Sequence, residues 1–236
     1  MHTFDRANET LRADLEAYER ALHTIVELLP RARDCCDRVV KETRLIKALL
    51  AFYTGPHAAD MAQLAFHMTN LWPYREQPFA RTLGFADEIA ETRRQQEEAM
   101  RGVRMLARYA NDSLAQELSS CFGNIAKLFE DQRALLVKCH ELIHPHALNM
   151  DLTCKRLDLL VAMVDARLPP SDEQQVALSA YTDAAALLRD WKNGVPLESQ
   201  GVEILSHCLD MLDRIDIIDV RNNLRVGEGA HAAETI

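Results

Sequence analysis

Residues 4–50, FDRANETLRADLEAYERALHTIVELLPRARDCCDRVVKETRLIKALL, decide the fold. Their apolar or small residues are Phe4, Ala7, Leu11, Leu15, Tyr18, Leu22, Ile25, Leu29, Ala32, Cys36, Val39, Thr43, Ile46 and Leu50. They recur at steps of three and four, the spacing that keeps side chains on one face of an α-helix. A seam held in phase over this stretch predicts one amphipathic helix of about 47 residues, roughly 70 Å long at 1.5 Å per residue. That is about four times the usual length of a globular helix. Such a helix cannot cover its own seam, so the rest of the chain must supply equally long partners. Pro30 removes one backbone donor, yet the seam runs on in register through Ala32 and Val39, which predicts a kink and not a break. Tyr53-Thr54-Gly55-Pro56 ends the helix with the usual glycine and proline signals.

The partners follow in order. Ala58 to Leu71 reads as a short helix within a connector, which Trp72-Pro73 and Gln77-Pro78 prevent from being continuous. A second long pattern starts at Leu83 and runs through Phe85, Ile89, Val103, Leu106, Ala110, Leu114, Leu118, Phe122, Ile125, Phe129, Leu136, Cys139 and Ile143. It resumes past Pro145 and ends at Leu168-Pro169-Pro170, which predicts one very long helix kinked near Pro145, or two helices in line. Ser171-Asp172-Glu173 starts a third helix, with Ser171 as its cap and the acids at its positive end. That helix meets Lys192-Asn193-Gly194-Val195-Pro196, and a final segment runs from Val202 to about Leu224. The expected organisation is a single helical domain over 1–226 followed by a flexible tail, 227–236.

Composition agrees with an all-α chain. Of 236 residues 48% are hydrophobic and 27% charged, only 6% are aromatic, and glycine and proline number eight each. The formal charge of −9 argues against a general nucleic-acid binder. Six cysteines stand at 35, 36, 121, 139, 154 and 208 without CxxC spacing, so free, half-buried thiols in a reducing cytosol are expected. The acidic and basic residues Asp5, Arg6 and Glu9 precede any apolar run, and no stretch of 18 apolar residues occurs, which predicts a cytoplasmic protein.

Catalytic chemistry has little to stand on. His140-Glu141-Leu142-Ile143-His144 matches the HExxH pattern, in which two imidazoles one helical turn apart hold zinc and the glutamate acts as general base. Pro145 follows His144 directly, His146 is too close to be the third ligand, and no strand is expected to hold a substrate, so His140 and His144 are only a minor alternative metal site. Glu141 and His144 also form an ExxH pair, but its would-be second copy, Glu203 and His207, is spaced four and not three. No catalytic residue and no cofactor is expected, and the chain reads as a non-enzyme.

The basic residues say more. Arg94, Arg101 and Arg108 recur every seven residues with Arg104 beside them, a stripe about 21 Å long by helical rise. Arg31, Arg33, Arg38, Lys41, Arg44 and Lys47 enrich the distal half of the first helix, and Lys155, Arg156 and Arg167 lie towards the next turn. Such faces can be ordinary solvated helix surface, or can contact anionic phospholipid headgroups at about 1 kcal/mol per basic residue.

Three long, kinked helices of about 50, 80 and 50 residues, a sustained first seam and a turn near Leu168-Pro169-Pro170 together resemble a BAR domain over nearly the whole chain. The resemblance is one of architecture and rests on no single motif. It implies a BAR-like three-helix coiled coil that dimerises into a six-helix bundle, with Leu11, Leu15, Leu22, Leu205 and Leu212 in the interface. It implies as well a membrane-binding module that scaffolds or senses curved anionic membrane in trafficking or membrane remodelling, peripherally membrane-associated in the cytoplasm. Its partners would be a second copy, anionic phospholipid membrane and other trafficking or cytoskeletal proteins. The lipid-binding residues would be Arg38, Lys41, Arg44, Lys47, Arg94, Arg101, Arg104, Arg108, Lys155, Arg156 and Arg167. The alternatives are a helical-bundle protein-interaction adaptor without lipid binding and, for the fold, a PhoU-like pair of three-helix bundles.

Overall fold

A computed structural model of the protein describes residues 2–55, 57–71, 85–193 and 200–214; the side chains of 2–8, 65, 67–71 and 167 lie outside that description. The described residues are helical but for short turns, without a strand. In chain order the helices are α1 (His2–Ala51), α2 (Ala58–Leu71), α3 (Phe85–Leu106), a 3-10 turn (Ala107–Tyr109), α4 (Ser113–Ala147), α5 (Met150–Arg167) and α6 (Asp172–Lys192), with a last helical stretch, α7, over 200–214. The expected final segment beyond 214 and the tail 227–236 lie outside the described residues.

α1 is the single helix its seam predicts, 50 residues long and unbroken at Pro30. Leu11, Leu15, Tyr18, Leu22, Ile25, Leu29, Ala32, Val39 and Ile46 are all buried. The seam shifts slightly past Pro30, where Cys35 is buried and Cys36 half-buried. Thr43 sits on the seam by returning its hydroxyl to the Val39 carbonyl at 2.8 Å, which hides its polar atom against its own helix.

The chain divides into two compact units: 1–23 with 143–193 and 197–236, and 24–142 with 194–196. In the first, α5 and α6 form an antiparallel hairpin, shown by Asp151–Lys192 and Asp158–Arg189 ion pairs and by Gln174 Nε2 donating to the Leu168 carbonyl at 3.1 Å. Ser171 caps α6 as its sequence predicts, accepting from the Gln174 amide at 3.1 Å. The start of α1 and α7 complete this unit. Gly201 lies so close to α1 that an added Cβ would meet Leu22 Cδ2 at 2.9 Å.

In the second unit the sequence expectation needs correction. No single long helix spans 83–143: α3 ends at Leu106, and α4 starts again at Ser113. The reason lies in Ala110-Asn111-Asp112-Ser113. The Asp112 carboxylate accepts from the Leu114 and Ala115 amides at 2.9 and 3.2 Å, satisfying two of the free N–H groups that any helix start leaves. Gln116 also donates back to the Ala110 carbonyl. The chain then folds back, because Tyr109 near the end of α3 meets His57, whereas Glu88 near its start acts on Cys36, about five turns earlier along α1. α4 returns in the opposite sense, pairing Asn124 with Glu42 and Gln132 with Cys36. The resulting core joins Val39 and Ile46 of α1, Met61 and Leu64 of α2, Ala99 and Leu106 of α3, and Leu118, Phe122, Ile125 and Phe129 of α4. The continuous apolar spacing across 106–114 fills this core from both arms of a hairpin.

At Pro145 the helix does not break. α4 continues through it to Ala147, so His144 is helical after all, and α5 begins at Met150 after a two-residue step.

Candidate functional site

The end of the second unit where α1 stops gathers most of the chain's informative surface. Phe52 and Tyr53 close α1 with tightened bonds, their amides donating to Leu49 and Leu50 carbonyls at 3.3 and 3.2 Å. Tyr53 then turns inward, and its hydroxyl donates to Asp112 Oδ2 at 2.7 Å. This bond holds the Asp112 carboxyl below the usual range, helped by the two amides it caps, and raises the Tyr53 hydroxyl above its ordinary value. Beside it the His57 and Tyr109 rings lie 4.5 Å apart, and the Tyr109 hydroxyl donates to Asp60 at 3.2 Å. Asp60 and Asp112 are thus each engaged by a tyrosine, while Glu117, one turn into α4, is exposed.

The cations are not similarly engaged. Between Ala99 and Asn111 the charged residues are Arg101, Arg104 and Arg108, all exposed. Arg101 bonds Glu98 at 3.0 Å, one turn back on its own helix. On α1, Arg38, Lys41, Arg44 and Lys47 are exposed, and the one acid among them, Glu42, is half-buried, its Oε1 accepting from Asn124 at 3.3 Å and its Oε2 buried without a partner among the described residues. Arg31 and Arg33, further back, are also exposed.

The remaining predicted lipid contacts fare differently. Arg94 is exposed but bonded to both carboxylate oxygens of Glu91, at 2.9 and 2.7 Å. The stripe also loses its regular helical spacing at Arg108, which sits in the 3-10 turn and not on α3. Lys155 is exposed on α5, in the other unit. Arg156 is half-buried, and its guanidinium binds Asp14 of α1 at 3.0 Å, so it acts as an internal tie and not as part of an open basic face. The Arg167 side chain lies outside the described residues.

Leu11, Leu15, Leu22, Leu205 and Leu212 are all buried inside one chain. Their apolar area is already used within the first unit, so contact between two copies would have to use other residues. All six cysteines are free, five buried and Cys36 half-buried. Burial raises the thiols of Cys36, Cys121 and Cys139 to about 11 and that of Cys208 to about 12, which keeps them protonated and poor nucleophiles. Among the described residues no three His, Cys, Asp or Glu side chains come together as a metal site, and the HExxH pair has no third ligand there. No described helix is long and apolar enough to cross a membrane.

Sequence reasoning missed Leu45, Phe52 and Met105, large apolar side chains left exposed among the cations. A helical-wheel plot placing the seam on one side would have put Leu45 and Phe52 opposite it. It missed Asp112 as well, although Asn111-Asp112-Ser113 is itself a turn and helix-start signal. No family model, no curated protein and no solved structure matches the chain.

Proposed function

We propose that this chain is a membrane-surface module whose second unit docks on anionic phospholipid headgroups. The observation that carries this reading is the sorting of charge at the end of that unit. Arg38, Lys41, Arg44, Lys47, Arg104 and Arg108 face solvent, while Asp60 and Asp112 accept from tyrosines and Glu42 is drawn half inside, with Oε1 bonded to Asn124. The net charge of −9 does not oppose this, because exposed charges more than about 10 Å away are largely screened at physiological salt. Four to six contacting cations at about 1 kcal/mol each give reversible, salt-sensitive binding. The BAR likeness suggests trafficking or membrane remodelling as the setting. Its curvature scaffold needs a second helix of about 80 residues, and here that stretch is divided at 107–112, so surface binding is the form of the reading the fold supports.

The test is co-sedimentation with phosphatidylserine-containing vesicles at low and high salt. Arg104→Glu combined with Arg108→Glu is expected to weaken binding at least about tenfold. Binding that ignores salt, or that is equal on pure phosphatidylcholine, sinks the reading.

A second reading, a protein-interaction module, is favoured by the outer face of α5. Leu152 and Leu159 line one side of it at 48% and 64% exposure, with Leu148 at 91% in the turn just before it, whereas its other side, Leu157, Leu160 and Val164, is buried. An α5 apolar on both faces is the pattern of a helix with a further partner. Under this reading Leu152→Glu with Leu159→Glu abolishes partner association and leaves vesicle binding alone.

A further inference from the structure

We infer that Phe52, with Leu45 two turns before it, is an apolar anchor that enters the acyl boundary of an anionic bilayer while the neighbouring cations hold the headgroups. The inference rests on the membrane-surface reading above and adds to it a contribution that salt does not screen. Arg38, Lys41, Leu45, Ala48 and Phe52 follow one another at steps of three and four, so they share one face of α1, and all are exposed. The buried residues Val39 and Ile46 belong to a different face, in the core. Along the exposed face the chemistry changes from cationic to apolar as the helix approaches its end, with Leu45 48% and Phe52 84% exposed.

A single exposed apolar side chain is ordinary and calls for no partner. This one differs in position and company. It stands at the last turn of α1, where the following residue, Tyr53, is drawn inward to Asp112 and leaves Phe52 projecting. Arg44 and Lys47 flank the same stretch, and Met105 is exposed beside Arg101 and Arg104 on α3, with Arg108 in the 3-10 turn that follows. Large apolar side chains set among flexible cations are what an anionic fluid interface rewards: stems and rings enter the boundary, and ammonium and guanidinium groups stay at the phosphates. An acidic protein groove could satisfy the same charges, and the experiment separates the two.

Wild-type chain, Phe52→Ala and Phe52→Trp are titrated with phosphatidylserine-containing vesicles at low salt and at high salt, with thermal unfolding recorded for each. Phe52→Ala is expected to keep its Tm, to bind about tenfold more weakly, and to lose the residual binding that survives high salt, with the salt slope unchanged. Phe52→Trp is expected to restore or exceed wild-type binding, since tryptophan favours the membrane interface. If wild-type binding is salt-sensitive but Phe52→Ala binds equally well, the anchor is overturned and the electrostatic reading stands. A Phe52→Trp chain that binds no better than Phe52→Ala also overturns it. No vesicle binding by the wild-type chain overturns both and leaves an acidic protein as the partner of this face.

Discussion

The two units use the same charged residues in opposite ways. In the first, four cations tie different helices together, Arg12 to Asp213, Arg156 to Asp14, Arg189 to Asp158 and Lys192 to Asp151, and Arg20 to Glu16 stays within one helix. In the second, among the described residues, the ion pairs stay within one helix, Arg93 to Glu97, Arg94 to Glu91 and Arg101 to Glu98, and the other cations named above face solvent. A cross-helix pair fixes how two elements meet, whereas an i,i+3 or i,i+4 pair fixes nothing beyond its own turn. The first unit therefore consumes its charge in architecture, and the second leaves its charge available to a ligand surface. The difference also explains why basic residues read alike along the sequence turn out to have different roles.

The hardest blow to this comparison falls on the core. Leu22→Glu puts a charge into the fully buried seam of the first unit, a cost of several kcal/mol, and is expected to abolish the cooperative unfolding of that unit in circular dichroism. A soluble, folded monomer would instead mean that Leu22 faces a second copy.

The next largest effect tests the ion pairs directly. Arg156→Met leaves Asp14, about a fifth exposed, without its cation and should cost about 1–2 kcal/mol, a Tm fall of several degrees. Arg104→Met, on the exposed face of the second unit, should change stability by less than about 0.5 kcal/mol. Equal effects of the two substitutions in urea unfolding would erase the distinction between the units.

Thiol labelling sharpens the comparison without substitutions. With the thiols of Cys36, Cys121, Cys139 and Cys208 raised to 11 or above, none should react at pH 8 until its surroundings open. Mass spectrometry of partly labelled chains then reports the order of opening, through Cys154 and Cys208 for the first unit and Cys35, Cys36 and Cys121 for the second.

The smallest effect concerns pH. Asp112 has a lowered pKa when folded, so its contribution is present above the unfolded carboxylate value and is lost as pH falls through the lower folded one. Tyr53 has a raised pKa, so its contribution is present below the ordinary tyrosine value and is lost as pH rises through the higher folded one. Tyrosine absorbance should show a component titrating above the normal range, shared by Tyr18, Tyr53 and Tyr109, and Tyr53→Phe should reduce its amplitude by about a third; an unchanged amplitude in that variant would place the bond elsewhere.

Much of the fold is legible in the residues themselves. The seam of α1 predicts its length and its passage through Pro30, Ser171 predicts the start of α6, and Ala58 to Leu71 matches α2 residue for residue. The turn at 107–112 was hidden because Leu106, Ala110, Leu114 and Leu118 keep helical spacing across it, and periodicity carries no sign of direction. The candidate site was half legible. Its cations could be named, but which were spoken for depended on acids brought from elsewhere: Asp14 lies 142 positions from Arg156 and Asp112 59 from Tyr53.

By itself the sequence determined what local spacing and capping determine: an all-helical chain, the extent of α1, and which residues prefer water. The tertiary structure alone decided that α3 and α4 fold into a hairpin, that five seam leucines are spent inside one chain, and that Phe52 stays outside while Tyr53 goes in. Helix formation is set by hydrogen bonds and contacts within four residues, whereas reversal, pairing and exposure depend on groups that meet only after the chain has folded.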